Sequence, residues 1–377
     1  MSASSAKDNK DNIGLRVLLC SPRGIPGGIC QWTENILAYA SEIGDGTQLR
    51  WFYSDLADSG FNSNSFLKRA VRGLKSYIPF IRGLRRVLAV ESFDVAHFST
   101  SGSISFLRDY LALRECRKHN IRTALHLHFG RLPQVLKGNS LEKRLFDMCR
   151  TLVGCFIAID DPTYRALVEY GCENVEFVPN PLSPTVERLI AENDAVGRKE
   201  RTVLYAGHVL RTKGVFELVE ACRQIDNIHL DIMGKCTEAT RLELLSAAGD
   251  NSDAWLTIHG NRELKDVIAA MKSCAVFTLP SYSEGFPNVI IESMACGCPI
   301  VATSVGAIPQ MLEDDENGKY GILIEPRNAK ELHDAILSLI DNETMKNEMR
   351  GNVQTRVRER YNIQAVWNNM ISIWESC

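Results

Sequence analysis

No run of about eighteen apolar residues occurs anywhere in the 377-residue chain, which leaves no candidate membrane-spanning helix. The opening stretch Met1–Asn12 is polar and rich in Ser, Lys and Asp, without the apolar core of a signal peptide. Cysteine is plentiful, with twelve residues, yet no C-x-x-C occurs and Cys296-x-Cys298 is the only close pair. That scatter excludes the paired spacing of a structural zinc site and gives the expectation of free thiols in a reducing, cytoplasmic compartment. No G-x-G-x-x-G follows the first apolar run, which weakens a dinucleotide reading. No D-x-D occurs either, so the usual divalent chelator of a diphosphate is not evident. Neither metal nor cofactor is expected.

What is present is ordinary for a folded protein, at 45% hydrophobic and 24% charged residues. The length suits two domains, and the composition excludes disordered, collagen-like and disulfide-scaffold classes. A net charge of -3 conceals an asymmetry. Residues 1–185 hold 23 basic and 18 acidic residues, and the remainder 20 basic and 28 acidic. The basic excess is too small for a nucleic-acid binder.

Short runs rich in Val, Ile and Leu alternate with helical spacing along the whole chain. Six fall in the first half: Leu15–Cys20, Leu49–Tyr53, Val95–Phe98, Thr123–His128, Cys155–Ala158 and Val175–Val178. Six more follow: Thr202–Tyr205, His229–Ile232, Leu256–His259, Val276–Thr278, Ile300–Ala302 and Gly321–Ile324. This is the pattern of β-α-β units, hence of an α/β protein with two doubly wound parallel-sheet, Rossmann-like domains facing a cleft. Pro179, Pro181 and Pro184, followed by a polar run to Arg201, read as the linker. The expected division is 1–185, 186–360 and a last helical segment, 361–377.

Three strand-to-helix turns carry chemistry. The first, Ser21 to Gly28, is glycine-rich and precedes a helix from about Cys30. Such a turn offers free N–H groups to an anion, although a tight turn without a ligand explains it equally well. The second, Tyr205 to Gly214, places Arg211 and Lys213 at a helix start, where cations are unfavourable unless an anion shares the site. A solvated basic loop is the plainer alternative. The third runs from Leu279 to Gly297 and contains Glu284, Gly285, Phe286, Pro287, Asn288, Val289 and Glu292. Pro287 suits the first helical turn, and the amides behind it would point at an anion. The plainer reading makes Glu284 a dipole-favoured acid and Glu292 a surface residue.

The segment S-x-x-E-G-F-P-N-V-x-x-E, followed by Ala295-Cys-Gly-Cys-Pro-Ile-Val-Ala302 and Gly306, resembles the retaining glycosyltransferases of family 4, with the GT-B fold. Gly27-Gly28, Lys213-Gly214 and Pro179-Asn180-Pro181 stand where that family has corresponding elements. The resemblance implies that Glu284 contacts the donor sugar and Glu292 the nucleotide ribose. It implies that Gly28 and the amides of Gly285, Phe286, Asn288 and Val289 hold the pyrophosphate, assisted by Lys213, while Arg211 stands as a phosphate partner only on the reading of its own turn. It matches His128 to the active-site histidine, although His126 shares its strand face and the residues alone do not separate the two. Two departures stand out: Gly207-His208 replaces Gly-Arg, and Gln310 follows Gly306-Ala-Ile-Pro where Glu is frequent. The implied activity is metal-independent, retaining transfer from a nucleotide diphosphate sugar, UDP favoured over GDP, to a glycan or lipid-linked acceptor in cell-surface polysaccharide synthesis. A sugar-nucleotide epimerase and a non-catalytic nucleotide-sugar binder are the alternatives.

One more feature lies outside these turns. Between Gly60 and Val90 stand Lys68, Arg69, Arg72, Lys75, Arg82, Arg85 and Arg86, with no acid. Leu67, Val71, Leu74, Ile78, Ile81, Leu84 and Leu88 recur at helical spacing, and Pro79 is expected to kink or split the helix. A basic amphipathic helix can lie on anionic lipid at the inner face of the cytoplasmic membrane; an ordinary helix with a solvated basic face is the other reading.

Overall fold

The computed structural model describes residues 14–23, 27–53, 66–193, 197–312 and 320–377, and for 66–75 the backbone alone. Two six-stranded sheets form, and every strand pair in them is parallel. The first comprises β1 (Arg16–Cys20), β2 (Gln48–Phe52), β3 (Val95–Thr100), β4 (Arg122–Leu127), β5 (Cys155–Ala158) and β6 (Val175–Phe177). The second comprises β7 (Thr202–Ala206), β8 (His229–Met233), β9 (Leu256–Gly260), β10 (Val276–Leu279), β11 (Ile300–Thr303) and β12 (Ile322–Ile324). All twelve apolar runs of the sequence are therefore strands. β3, β4, β5, β7, β10 and β11 are almost wholly buried, as strands covered by helices on both faces must be.

Strand order decides where a ligand can sit. The first sheet runs β2-β1-β3-β4-β5-β6 and reverses direction between β1 and β3. The second runs β12-β11-β10-β7-β8-β9 and reverses between β7 and β10. At such a switch point neighbouring crossover helices lie on opposite faces, which opens a crevice beyond the strands' carboxyl ends. The three turns singled out in the sequence follow β1, β7 and β10.

The first sheet has a core on each face. One is built with the helices Phe66–Val90, Ser105–Lys118 and Leu141–Arg150. The other joins the helix Gly28–Ile43 to the last helix, Ile363–Ser376, which buries Val366, Trp367, Met370, Ile373 and Trp374 there. Trp367 donates to Asp45 at 2.8 Å and Trp374 to Nδ1 of His97 at 3.2 Å, so the end of the chain is part of the first sheet's core. The second sheet has its own cluster, which begins at Leu182 and Val186.

Two expectations are corrected. Cys155, at the start of β5, is joined to Cys377 in a disulfide with 5.5 Å between Cα atoms, so the thiols are not all free. The partners are 222 residues apart, and only the return of the last helix brings them together. Among the described residues the other ten cysteines form no disulfide. Pro79 does not split its helix, which is continuous from Phe66 to Val90. Burial of Phe80, Ile81, Leu84 and Leu88 in the first core outweighs the roughly 3 kcal/mol of an interior proline.

Candidate active site

The turn after β7 becomes a single 3-10 turn, Arg211–Lys213, closed by Gly214 in the left-handed region at φ 70°. Gly214 packs on its neighbour so tightly that a Cβ would fall 1.9 Å from the Pro280 carbonyl oxygen. The amide of Tyr282 donates to Thr212 O at 2.9 Å, and the Tyr282 hydroxyl to Glu217 at 2.6 Å. These bonds fix the turn against the loop after β10. Lys213 and Glu284 meet across that seam, with Nζ donating to Oε1 at 2.6 Å. A third segment supports the loop from beneath. Gly306, at φ 58°, would put a Cβ 2.3 Å from Glu284 O, and the Ala307 amide donates to Gly285 O at 2.9 Å. No side chain other than glycine's fits at 306.

Asn288 and Val289 open the donor-side helix Asn288–Ala295, which starts from Pro287 with no side-chain cap, so their amides have no partner within the helix. They line a cavity of about 500 Å³ with Gly207, His208, Lys213, Lys235, Asn261, Arg262, Glu284 and Glu292. Withdrawal from water pushes the Glu292 carboxyl up to about 7. A second cavity, about 680 Å³, opens between the sheets and is lined by His128, Gly130, Arg131, Gln134, Tyr282, Ser283, Glu284 and Gly285. The domains touch at its floor, where a Cβ on Gly130 would stand 3.3 Å from Gly285 Cα. Among the described residues Glu284 alone lines both cavities.

His128 follows β4 at the rim of the second cavity, and its amide donates to Thr100 O at 2.9 Å. Behind it lie His126, 3.9 Å away between ring centroids, and His97, 5.3 Å beyond on β3. Trp32 stacks on His97 and meets the other two rings edge-on. Both nitrogens of His126, Nε2 of His97 and Nε2 of His128 are buried without a hydrogen-bond partner. Burial holds the His97 and His128 imidazoles down at about 3 and that of His126 well below its ordinary value. His128 is therefore a neutral imidazole at physiological pH, a donor or acceptor of hydrogen bonds rather than a cation. The structure also separates what the sequence did not: His128 lines the cavity, whereas His126 is fully buried behind it.

The structure thus gathers Lys213, Glu284, Gly285, Asn288, Val289, Glu292 and His128 around one cleft. The Phe286 ring instead packs against Tyr361 at 6.2 Å, leaving only its backbone near the site. Gly28 opens the helix Gly28–Ile43, and, its own helix and chain neighbours aside, no described residue stands within 4 Å of the position a Cβ would take there. Arg211 does not enter either cavity. Its guanidinium lies over Phe216 at 3.8 Å and pairs with Glu243 at 3.4 Å, because the 3-10 turn sends residues 211 and 213 to different sides. His208 lines the first cavity, and Gln310 accepts from the Asp161 amide across the domains. Lys235, Asn261 and Arg262 follow β8 and β9, and no motif in the sequence marked them. Among the described residues no group of three or more His, Cys, Asp and Glu is placed to share a metal ion.

The proposed membrane face divides. Side chains of Lys68, Arg69, Arg72 and Lys75 lie outside the described residues. Arg82 and Arg86 are exposed, whereas Arg85 donates to Glu115 at 2.7 Å. Ile81, Leu84 and Leu88 of the apolar stripe are spent on the protein's own core, and Ile78 remains 59% exposed. Among the described residues no helix is long and apolar enough to cross a membrane.

Two parallel-sheet domains with a nucleotide-sized cavity at one switch point define a GT-B architecture. Solved structures of that build superpose on nearly the whole chain. Sucrose-phosphate synthase from Thermosynechococcus elongatus matches with a TM-score of 0.70 at 19% identity, covering 96% of this chain and 98% of that one. HepE of Anabaena, solved with UDP, gives 0.71 at 16% identity over 96% and 100%. Residues 188–356 match the family of glycosyl transferases group 1. Among curated relatives, the capsular polysaccharide biosynthesis glycosyltransferase CapM of Staphylococcus aureus is 26% identical over 213 residues, 54% of this chain and 52% of that protein. The chain thus spans about half the length of that relative.

Proposed function

We propose that the protein is a retaining glycosyltransferase that moves a sugar from a nucleotide diphosphate, UDP before GDP, to a glycan or lipid-linked acceptor in polysaccharide synthesis. The observation that carries this reading is the position of Glu284 at the junction of the two cavities. A donor lying in the first cavity would present its sugar there, and an acceptor would approach from the second. The free amides of the donor-side helix and Lys213 neutralise the departing diphosphate. Lys213 already holds one anion, Glu284, and a phosphate gives it a second partner. Glu292 accepts from the nucleotide's sugar hydroxyls. His128, kept neutral, hydrogen-bonds the transferred sugar from the opposite wall. These residues position and stabilise; no covalent nucleophile and no metal is assigned.

A thermal-shift panel of UDP-, GDP- and ADP-sugars tests the donor, because a ligand that binds only the native state raises its melting temperature. UDP-sugars are expected to give the largest rise, and a flat response to all three would remove the reading. Glu284→Ala is expected to reduce transfer by at least about a hundredfold while the fold persists. Turnover near the wild-type rate in that variant would remove Glu284 from the site. Peripheral contact with anionic lipid through Arg82, Arg86 and their neighbours is the further part of the proposal. Arg82→Glu, Arg85→Glu and Arg86→Glu together should then abolish pelleting with anionic vesicles; equal pelleting would end it.

A further inference from the structure

Beside the catalytic cleft runs a second line of polar contacts, none of which the chemistry above uses. The helix Gly28–Ile43 presents Gln31 and Asn35 one turn apart on the same face. Gln31 Oε1 accepts from Asn288 Nδ2 at 3.1 Å, a contact across the cleft to the first residue of the donor-side helix. Asn288 Oδ1 in turn accepts from Asn180 Nδ2 at 2.9 Å. Asn35 Oδ1 accepts from the Ser183 hydroxyl at 3.1 Å. Asn180 and Ser183 are both buried and stand in the segment that joins the two domains. On one side of that segment Val178 belongs to the first sheet's core, and on the other Leu182 belongs to the second's.

Amide hydrogen bonds fail within a few tenths of an ångström beyond 3.2 Å. The Gln31–Asn288 bond therefore exists only with the domains as close as they are here. Among the described residues Asn180 Oδ1 is buried without a partner, and its Nδ2 contact to Asn288 is the one bond its side-chain amide makes. Side chains of the hinge, the donor-side helix and the first domain are thus joined through a single residue, Asn288.

We propose that Gln31 is a positioning residue, the first-domain end of a latch Gln31–Asn288–Asn180 that holds the cleft closed and fixes the direction of the donor-side helix. Its coupling to nucleotide rests on the function proposed above; its effect on domain closure does not. Opening breaks the Gln31 contact and leaves the Asn288 amide tied only to the hinge, free to turn the helix's first amides away from the phosphate position. Closure is then favoured before the donor arrives, which removes part of the conformational cost of binding.

The test uses the full chain with Gln31→Met, which keeps length and loses the acceptor, and Gln31→Glu, which keeps an acceptor oxygen at the same reach. Small-angle scattering without ligand is expected to show a larger radius of gyration for Gln31→Met and a wild-type value for Gln31→Glu. Calorimetric titration with UDP is expected to show about three- to tenfold weaker binding by Gln31→Met, the weight of one hydrogen bond. In turnover the KM for the donor should rise by the same factor, with kcat within about twofold of wild type. Wild-type scattering by Gln31→Met overturns the latch, and so does equal opening of both variants, which would assign the effect to shape rather than hydrogen bonding. Failure of the wild-type protein to bind UDP sinks the functional reading instead, while the scattering comparison still decides the latch. Should Gln31→Met not fold, Gln31→Ala takes its place with the same expected outcomes.

Discussion

At the residue scale, two kinds of buried titratable group set opposite pH dependences. Glu292 is pushed up to about 7, so near neutrality it exchanges its proton. Sugar hydroxyls donate more strongly to an ionised carboxylate than to a neutral carboxyl. UDP affinity is therefore expected to tighten by up to about tenfold between pH 6 and 8, and Glu292→Gln to lose that dependence. Titration calorimetry at several pH values checks this; a wild-type affinity flat across the range would separate Glu292 from the nucleotide. The histidines act on stability in the other direction. The folded values of His97 and His128 lie at about 3, and that of His126 is also lowered. The unfolded chain takes up their protons first, near pH 6.5. Their contribution is intact above pH 6.5 and is lost progressively as pH falls toward 3. Glu292 opposes this, as do Asp109, Asp160 and Glu187, because raised carboxyl values favour the native state at low pH, so the share of the histidines is read from a histidine variant. The urea midpoint is expected to fall from pH 7 to 5, and His126→Phe to flatten that slope.

At the scale of elements, the sequence disclosed all twelve described strands and few of the contacts that aim the side chains. Runs such as Cys155–Ala158 are apolar on both faces, and that property survives any tertiary arrangement. The Glu284–Glu292 segment was legible because spacing along one turn and one helix is local. The placement of Arg211 was not legible, because the direction of a side chain in a three-residue turn depends on what the turn packs against, here Phe216 and Glu243. Pro79 left a kink and a split open, and only the split is excluded: the penalty is local, while the burial that exceeds it comes from packing on the first sheet. Gln31 left no signal, and Asn180 was marked only as part of Pro179-Asn180-Pro181, with nothing to join either to Asn288, which is more than a hundred residues away from each. Gly306 offers an element-scale test. Gly306→Ala must place a methyl against the Glu284 carbonyl in a left-handed backbone, so the loop after β10 has to move. Loss of UDP binding with a melting temperature lowered by a few degrees is expected, and an unaltered affinity would show that the loop tolerates the shift.

At the scale of the whole molecule, the last helix ties the chain's end into the first domain, and the Cys155–Cys377 bond fastens it there. Linking positions so far apart restricts the unfolded chain, and disulfides of this kind typically contribute about 2–4 kcal/mol. Cys377→Ser is expected to lower the melting temperature to that of the protein in dithiothreitol, and to be insensitive to the reductant itself. A wild-type melting temperature indifferent to dithiothreitol would mean that the bond contributes nothing measurable. The same bond has a topological consequence. Residues 155–377 form a covalent ring that contains every strand of the second sheet. A protease that cuts once anywhere within that ring yields two chains that still migrate as one until the disulfide is reduced.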